Sequence, residues 1–439
     1  MLGLLLVGVA PMAAPRGETL AEALARAYAG SPRLEAARAA LRAADEGIPL
    51  ARAPGRPQLV STSSAAVNAL GDDLPVARQA LSLSQNLYSG GGIRAATREA
   101  ERLVDGESAR LRLAEQAVLL DAVSAYTALV RDRRVLEFAR DNEQRLEMEA
   151  AAARDRERFG ALTTTDIHQA ESRHAASTAE RIAAEGALEI AEADYARTIG
   201  GTLGPLDPAP LPDGLPATLD QALTGAENNW DRRAAEADVA AAREAVAVSL
   251  ATLKPRLNLA GELSYAADGG QQYNSGAGAA VGATLSVPLY QGGGEYAQVR
   301  RSKETPSQRR YARDDIRRAT ESAIVGAWAA GRTAAAVIRS VGRQVAAARF
   351  ALDGVSQEAA IGARSVIDIL DAETELFRAE VARVRAEREQ VVAAYRLLAA
   401  IGRLTAEDLG LPVAYDAAEI EGAAGHERWF DLGSDLPDD

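Results

Sequence analysis

The chain carries the same motif twice, and this repetition constrains its fold more than any other feature. Leu-Tyr-Ser-Gly-Gly-Gly at 87–92 recurs as Leu-Tyr-Gln-Gly-Gly-Gly at 289–294, a displacement of 202 residues. The same displacement relates Asp166-Ile167 to Asp368-Ile369. A register held over so long a span predicts two structurally equivalent halves. Each motif must then serve something that the architecture needs twice, which disfavours a single catalytic centre.

The composition excludes several classes of function. The 439 residues carry a net charge of −13, which argues against nucleic acid as a partner because phosphate binding requires clustered Lys and Arg. There is no cysteine, so disulfides, Cys-ligated metals and an acylated lipid anchor are not expected. Aromatic residues make up only 4% of the chain, which is typical of long helices packed through small side chains.

The N-terminal residues 1–14 form a short apolar run that ends in small residues. This pattern predicts a secretory signal peptide, truncated because its basic start is missing. A buried N-terminal helix is the alternative, but Pro11 and Pro15 bracket the run and favour the signal. Elsewhere no run of about 18 apolar residues occurs, so no transmembrane helix is expected.

Two segments, 57–88 and 255–290, predict β-hairpins. Within 257–267 and 277–289 the odd positions are mainly apolar, whereas many even positions are polar or small, a period of two. Each run has about the length of a tilted membrane-spanning strand. The first half repeats this alternation more faintly. Ordinary hairpins on a soluble core are the alternative, but the flanking sequence is helical and offers no further strands for a sandwich.

Each hairpin is followed by a long helical segment and a returning one: 93–158 and 162–200 in the first half, and 294–360 and 364–402 in the second. At 1.5 Å per residue, each long segment would reach about 100 Å. Pro306 is expected to kink or interrupt the second long helix. The predicted organisation is a first repeat at 15–217, ending in a linker, a second repeat at 218–402 and a C-terminal tail at 403–439.

Four strands cannot close a barrel in a membrane. An unpaired backbone group in hydrocarbon costs several kcal/mol, so spanning strands tolerate no open edge. The smallest single-chain barrels have about eight strands. Other copies of the chain must therefore complete the sheet, although the residues alone do not give their number.

The chain resembles the TolC family of outer-membrane channel proteins over nearly all of its mature length. Three blocks carry the resemblance: Leu285–Gly293, Gly362–Ala372, and Ile401–Thr405 with Asp408-Leu409. The resemblance implies an α+β membrane protein that forms a homotrimer. Each chain would give four strands to one 12-stranded outer-membrane β-barrel and its helices to a long periplasmic α-helical barrel. The tail would belong to the equatorial region.

The glycine triplets are interpreted as elbows between strand and helix, because glycine permits sharp changes of direction. The elbow residues are Tyr88, Gly90, Gly91 and Gly92, and Tyr290, Gly292, Gly293 and Gly294. A phosphate-cradling loop is the rival interpretation, but neither Gly-x-Gly-x-x-Gly nor Gly-Lys-Ser/Thr is present. Both tyrosines are expected at the membrane interface, where aromatic belts form.

The breaks at Gly160 and Gly362 predict the tips of the helical hairpins. Asp368 and Asp371 lie three residues apart and share one helix face, so in a trimer they would form rings of carboxylates that select cations and narrow an aperture. The alternative is that such acids only cap and solvate a surface helix.

The resemblance adds a role for these tips as the periplasmic entrance, closed at rest by salt bridges and hydrogen bonds. It implies that Arg364 is the gate arginine, that Asp368 and Asp371 are the constricting aspartates, and that Thr165 and Asp166 are their partners in the first half. Ala359 stands where the family has a tyrosine, so one latch hydrogen bond is missing.

An enzyme is not expected. Only His168, His174 and His426 occur, and no nucleophile elbow, Walker motif or HExxH is present. No metal or cofactor is expected either.

The predicted function is a passive exit duct in the outer membrane of a Gram-negative bacterium. Energy would come from an inner-membrane ABC exporter or proton-driven pump, bridged by a periplasmic adaptor (membrane fusion) protein. Type I protein secretion is favoured, with multidrug or metal efflux as the alternative. A soluble periplasmic coiled-coil adaptor or scaffold is a distant third.

Overall fold

The computed structural model describes residues 17–66, 76–159, 162–268 and 276–413. The predicted signal segment 1–14, the predicted tip residue Gly160 and the tail beyond 413 lie outside the described residues. Within them the elements are, in order: α1 (Leu20–Gly30), α2 (Pro32–Asp45), α3 (Gly47–Arg52), β1 (Gln58–Ala66), β2 (Val76–Ser89), α4 (Gly92–Arg158), α5 (Thr164–Thr198), α6 (Leu219–Gly225), α7 (Trp230–Ala251), β3 (Arg256–Asp268), β4 (Gly276–Ser286), α8 (Gly294–Ala360) and α9 (Val366–Ala400).

The duplication seen in the sequence is present in the structure. Helices α4 and α8 both have 67 residues, and their bounds are displaced by 202. Helices α5 and α9 both have 35 residues at the same displacement. The chain therefore has the α+β fold that the sequence predicted. It combines long helices with four strands and is built from two alike halves.

The described chain divides into two compact units. The helical unit contains 17–35, 113–229 and 319–413, and the sheet unit contains 36–112 and 230–318. The long helices α4 and α8 contribute residues to both units.

The core of the helical unit is made of helix faces lined by alanine, leucine and valine. On α4, Leu119, Val123 and Tyr126 are fully buried, as their heptad-like spacing predicts. Near the hairpin tips, one buried cluster joins three helices: Leu146, Ala150 and Ala153 on α4, Ala170 on α5, and Val366 and Leu370 on α9. The two halves of the chain therefore share a core at the tips.

Helix α4 is long and apolar enough in one stretch to pass a test for a membrane span, which the sequence interpretation did not expect. More than half of that stretch is buried inside the protein itself. Burial of that kind is the behaviour of a core helix, and the stretch lies where α4 packs in the helical unit.

Pro306 does not interrupt the second long helix, because α8 runs continuously from Gly294 to Ala360; that Pro306 kinks the helix stays a prediction. A proline in a helix removes one N–H donor, here the partner of the Ser302 carbonyl. Ser302, whose carbonyl loses that partner, is itself buried, and its Oγ donates to the Val299 carbonyl at 2.9 Å.

The sheet unit is built on four antiparallel strands in the order β1-β2-β3-β4. The two hairpins have equivalent registers: Gln58 faces Ser84 in the first, and Arg256 faces Ser286 in the second. These pairs are related by displacements of 198 on the first strand and 202 on the second. The register of each hairpin is thus a copy of the other.

The second hairpin ends earlier than predicted, because β4 stops at Ser286 rather than near 290. Strand β2 continues to Ser89 because its last residues pair with β3. Strand β4 has β3 on one side only, and β3 starts at Arg256, opposite Ser286. The residues after Ser286 therefore have no described strand with which to pair. Pro288, which cannot donate to a ladder, also lies in this segment.

Candidate functional site

One face of the four-stranded sheet is mainly apolar, although on the first hairpin it also carries Gln79, hydrogen-bonded to Ser61 and Ser63. The strand registers place Leu59 opposite Leu83, Leu83 opposite Gly261, and Gly261 opposite Val281, in one row across all four strands. Seven large side chains on this face are between 38% and 83% exposed: Leu59, Leu81, Leu83, Leu263, Tyr265, Val281 and Leu285. An apolar face of this extent suits contact with lipid or with another protein rather than water.

The opposite face of the sheet is polar. Ser84 and Asn86 on β2 lie beside Ala260 and Asn258 on β3. An ion pair also lies here, because Arg78 Nη2 donates to Glu262 Oε1 at 3.0 Å across the two central strands. The sheet therefore has the two-faced pattern of a wall between lipid and water.

Both outer edges of the sheet lack a neighbour in the described chain. Strand β1 pairs only with β2, and β4 pairs only with β3. Open edges of long strands expose rows of backbone donors and acceptors, which must be paired before the sheet can enter hydrocarbon.

The two elbows have the same backbone conformation. Gly90 and Gly91 have φ of 65° and 85°, and Gly292 and Gly293 have φ of 68° and 85°. These values lie in the left-handed region that glycine enters at little cost. The third glycine of each triplet, Gly92 or Gly294, is the first residue of a long helix. The triplets therefore turn the chain from strand into helix at both places.

The elbows differ in their surroundings. A Cβ atom added to Gly90 would lie 2.6 Å from Lys254 Cβ and 3.0 Å from the Ala251 carbonyl oxygen, whereas nothing lies within 4 Å of one added to Gly292. Tyr88 is half-exposed in β2, and a bulge after Asn86 brings it opposite Leu257. Tyr290 follows the end of β4 and is 84% exposed. Among the residues that the structure describes, other parts of the chain come within 4 Å of an added Cβ at the first elbow but not at the second.

The first tip is closed by a capping box. The Asp166 carboxylate accepts hydrogen bonds from Thr163 N at 3.0 Å and Thr163 Oγ1 at 2.7 Å, and Thr163 Oγ1 accepts from Asp166 N at 3.3 Å. The hydrogen bond from the Thr163 backbone, with that from its hydroxyl, lowers the pKa of Asp166. Thr165 lies in the first turn of α5 and is exposed. The Asp166 carboxylate is thus engaged by its own helix.

The second tip has the same cap and a glycine turn. The Asp368 carboxylate accepts from Ser365 N at 2.9 Å and Ser365 Oγ at 2.8 Å, and these hydrogen bonds lower its pKa. Gly362 has φ of 78°, with its N–H bonded to Ala359 O. The Ala363 N–H bonds to Glu358 O, which completes the C-terminal turn of a Schellman motif.

Arg364 and Asp371 make different contacts from the capping aspartates. Arg364 Nε donates to Glu358 Oε2 at 2.8 Å, across the turn of its own hairpin. Asp371 Oδ1 accepts from Arg173 Nη2 at 2.7 Å, an ion pair that joins α9 to α5. Asp368 therefore acts as a helix cap in the chain, as the plainer sequence interpretation allows, whereas Asp371 bridges the two halves.

A second ion pair between the halves lies deeper. Arg145 Nε on α4 donates to Glu373 Oε2 on α9 at 2.5 Å, and the Glu373 side chain is only 8% exposed. Burial raises the pKa of Glu373, and the Arg145 guanidinium opposes this rise. The seam between the halves, defined by Arg173–Asp371 and Arg145–Glu373, was missed by the sequence interpretation.

The repeat contains a signal that could have revealed this seam. Glu171, the first-half equivalent of Glu373, pairs with Arg154 inside its own hairpin at 3.0 Å. The second-half equivalent of Arg154 is Ser356. Glu373 therefore has no arginine at that place in its own hairpin, and it pairs across the seam instead.

The sequence predicts no metal site, and the side chains that could act as ligands are the histidines and the acidic residues. Among the described residues no group of three or more His, Cys, Asp or Glu side chains could hold a metal ion. His168 Nδ1 lies 3.3 Å from Glu171 Oε2 on the exposed side of α5.

Comparison with known proteins agrees with this arrangement. The profile of a family described as outer membrane efflux protein matches the chain twice, at residues 23–201 and 221–403, once in each half. The chain is 33% identical over 419 residues to outer membrane efflux protein BepC of Brucella suis, covering 94% of this chain and 92% of the relative.

Two further proteins are similar in part or in fold. Alkaline protease secretion protein AprF of Pseudomonas aeruginosa is 27% identical over 320 residues, covering 70% of this chain and 65% of AprF. The solved structure of the outer-membrane channel OprN superposes with a TM-score of 0.77 at 23% identity, covering 87% of this chain and 89% of OprN. The duplicated halves, the two-faced open sheet and these matches make the chain a member of the outer membrane efflux protein family, the TolC-like channels of the outer membrane that extend into the periplasm.

Proposed function

We propose that the protein is the exit duct of a tripartite export system, which conducts cargo passively from an inner-membrane pump to the outside. The observation that carries this proposal is the open four-stranded sheet, apolar on one face and polar on the other, joined through glycine elbows to two helices of 67 residues. Such a sheet supplies the wall of a membrane pore, and its helices supply the continuation of that wall.

The working form is a homotrimer. TolC-family channels form trimers and work with periplasmic adaptors and inner-membrane pumps. Three copies of a four-stranded sheet give a 12-stranded barrel with no open edge, which meets the requirement that every backbone group in the membrane be paired. Neither an ATP-binding motif nor another energy-coupling motif occurs in the sequence, so an ABC exporter or proton-driven pump supplies the energy.

Type I protein secretion is the cargo class that we favour. Similarity to a protein named for alkaline protease secretion supports it. Efflux of drugs or metals is the second candidate, and the similarity to BepC, named an efflux protein, favours it. A soluble periplasmic adaptor is a poor third, because it would have no use for an exposed apolar sheet.

Deletion of the gene in its own host tests the proposal and separates the two cargo classes. The loss of one or more large proteins from the culture medium, with unchanged resistance to toxic compounds, is expected for secretion. Increased sensitivity to small toxic compounds, with an unchanged set of secreted proteins, would instead assign the protein to efflux. Recovery of the protein only in the soluble periplasmic fraction would contradict both.

We further propose that the two hairpin tips form the entrance gate, with Asp368 and Asp371 as carboxylate rings and Arg364, Thr165 and Asp166 as the residues around them. Asp368 is half-buried beside the Arg364 turn, and Asp371 is exposed enough to face an aqueous opening. Gly362, and Gly160 outside the described residues, would mark the two turns.

Carboxylate rings predict a measurable effect on ion flow. Changing both Asp368→Asn and Asp371→Asn should abolish cation selectivity and block by trivalent cations in planar bilayers, because the rings lose their charge. Asn keeps the side-chain acceptor that caps the helix, so the tip stays folded. The double variant Asp353→Asn and Asp155→Asn, on exposed helix surface, is the matched control. Unchanged selectivity in the ring variant would show that the carboxylates lie away from the ion path.

A further inference from the structure

The junction between the two halves inside the sheet unit is a template for a contact that the single chain cannot make. Strand β2 ends the first hairpin and pairs with β3, which begins the second. Strand β4 ends the second hairpin and is the equivalent of β2. The strand that can pair with β4 as β3 pairs with β2 is β1 of another copy, because β1 is the equivalent of β3. Because both hairpins share one register, the β2–β3 contact can be transferred to the outer edges residue by residue.

The internal junction has a defined register and an ion pair beside it. Ser84 on β2 lies opposite Ala260 on β3. Below the sheet, Arg98 on α4 pairs with Glu244 on α7 at 2.9 Å. The Glu244 side chain is 28% exposed, and the hydrogen bond to Glu244 raises the pKa of Arg98. The pair therefore joins the long helix of one half to the short helix that precedes the strands of the other.

The transferred positions keep the chemistry of this ion pair. With the displacement of 202, Arg98 corresponds to Arg300 on α8; with the displacement of 198, Glu244 corresponds to Glu46 between α2 and α3. Both residues are exposed. Helical hydrogen bonds continue through Glu46, from Glu46 N to Arg42 O and from Leu50 N to Glu46 O, so this segment keeps the helical path of α7.

We propose that, where the trimer closes, the contact between β4 and β1 of the next copy repeats the register of the internal junction, with Ser286 opposite Thr62, and that Arg300 pairs with Glu46 of the partner subunit. This deepens the proposed trimer and rests on it. The occupant is a second copy of this chain because β1 is the equivalent of β3. The residues after Ser286 lack the neighbour that β3 provides for the end of β2, and β1 of another copy can provide it.

The same transfer accounts for the exposed second elbow. Gly90 packs against the end of α7 and the segment before β3, at Ala251 and Lys254. The equivalents of these residues, Ala53 and Arg56, precede β1. Gly292 therefore lies open in one chain because its neighbours belong to the next.

Cysteine cross-linking tests the register directly, and the chain has no cysteine to interfere. In the trimer, Thr62→Cys with Ser286→Cys should give covalent dimers and trimers under mild oxidation. Opposed strand residues lie about 5 Å apart, within reach of a disulfide. Within one chain these positions are at opposite sheet edges, separated by more than the ~14 Å width of three strand spacings, so a cross-link reports a contact between chains. Thr62→Cys with Gly282→Cys, four residues out of register, is the control and should not cross-link.

The ion pair has its own test. Arg300→Glu should lower the temperature at which the trimer dissociates in SDS, and adding Glu46→Arg should restore it. Arg301→Glu, the same change one residue along α8, should have no such rescue. Cross-linking of the control pair instead of the designed pair, or no rescue, would overturn the register while a heat-modifiable outer-membrane trimer remained. Absence of any outer-membrane oligomer would refute the proposed function itself.

Discussion

Replacing Arg145 by alanine should produce the largest rise in resting conductance of any single change at the hairpin tips. The substitution leaves the Glu373 carboxylate, 8% exposed, buried without its cation. Removing one partner of a buried ion pair typically costs about 3–5 kcal/mol. Arg173→Ala breaks a pair whose side chains are 45% and 57% exposed, and exposed pairs contribute about 0–1 kcal/mol. The deeper pair, rather than the outer one, should therefore decide whether the seam stays closed.

The matched control is Arg154→Ala, which breaks the equivalent pair to Glu171 inside one hairpin and leaves the seam intact. Planar-bilayer recordings of the purified trimer measure the effect. Adding Glu373→Gln to Arg145→Ala should restore most of the closure, because the buried group is then uncharged. A leak from Arg173→Ala that exceeded the leak from Arg145→Ala would place the latch at the exposed pair.

The Arg145→Ala leak should also depend on pH. Burial raises the pKa of Glu373 in the closed seam, so the closed state holds the proton more tightly than an open, hydrated one. Closure is then favoured at low pH and is lost as pH rises through the raised pKa. We expect the leak of the variant to grow from acidic to neutral pH, whereas the double variant with Glu373→Gln should show no such trend.

Gly90→Ala should be the most damaging change at the elbows. A residue with a Cβ in the left-handed region costs about 1–2 kcal/mol. At Gly90 that Cβ would also lie 2.6 Å from Lys254 Cβ and 3.0 Å from a backbone oxygen, so the elbow must move. Gly91→Ala is the matched control: its φ of 85° imposes the same kind of strain, but nothing lies within 4 Å.

Heat-modifiability in SDS measures both elbow variants. We expect Gly91→Ala to lower the dissociation temperature by a few degrees, consistent with about 1–2 kcal/mol, and Gly90→Ala to lower it further or to reduce the yield of trimer. Equal effects would mean that Lys254 and Ala251 move aside freely.

The elements that the sequence predicted best are those fixed by local chemistry. The glycine triplets at the elbows act within a few residues of chain, so their duplication is visible in the sequence. The helix lengths followed from them. The capping boxes at Thr163 and Ser365 are equally local, but capping was only the alternative role considered for the tip acids. The early end of β4 could not be predicted in this way, because strand length there depends on a neighbour that the single chain lacks.

The seam between the halves depends on contacts that are distant in sequence. Arg145 and Glu373 lie 228 residues apart, and neither stands out among the many charged residues of helical surface. The interruption expected at Pro306 is absent for a related reason: the proline rule describes a local cost, whereas a helix of 67 residues that continues on both sides of the proline can absorb that cost.

The two unlike edges of the sheet have a genetic consequence. Since β4 must meet β1 of another copy, each subunit is joined head to tail and every junction needs one sound edge from each neighbour. A chain damaged only at β4 still offers an intact β1 edge and enters mixed rings, where it leaves one junction unsealed. Alleles that disrupt a single edge should therefore act dominantly over the wild-type copy, whereas alleles that prevent the chain from folding should be recessive.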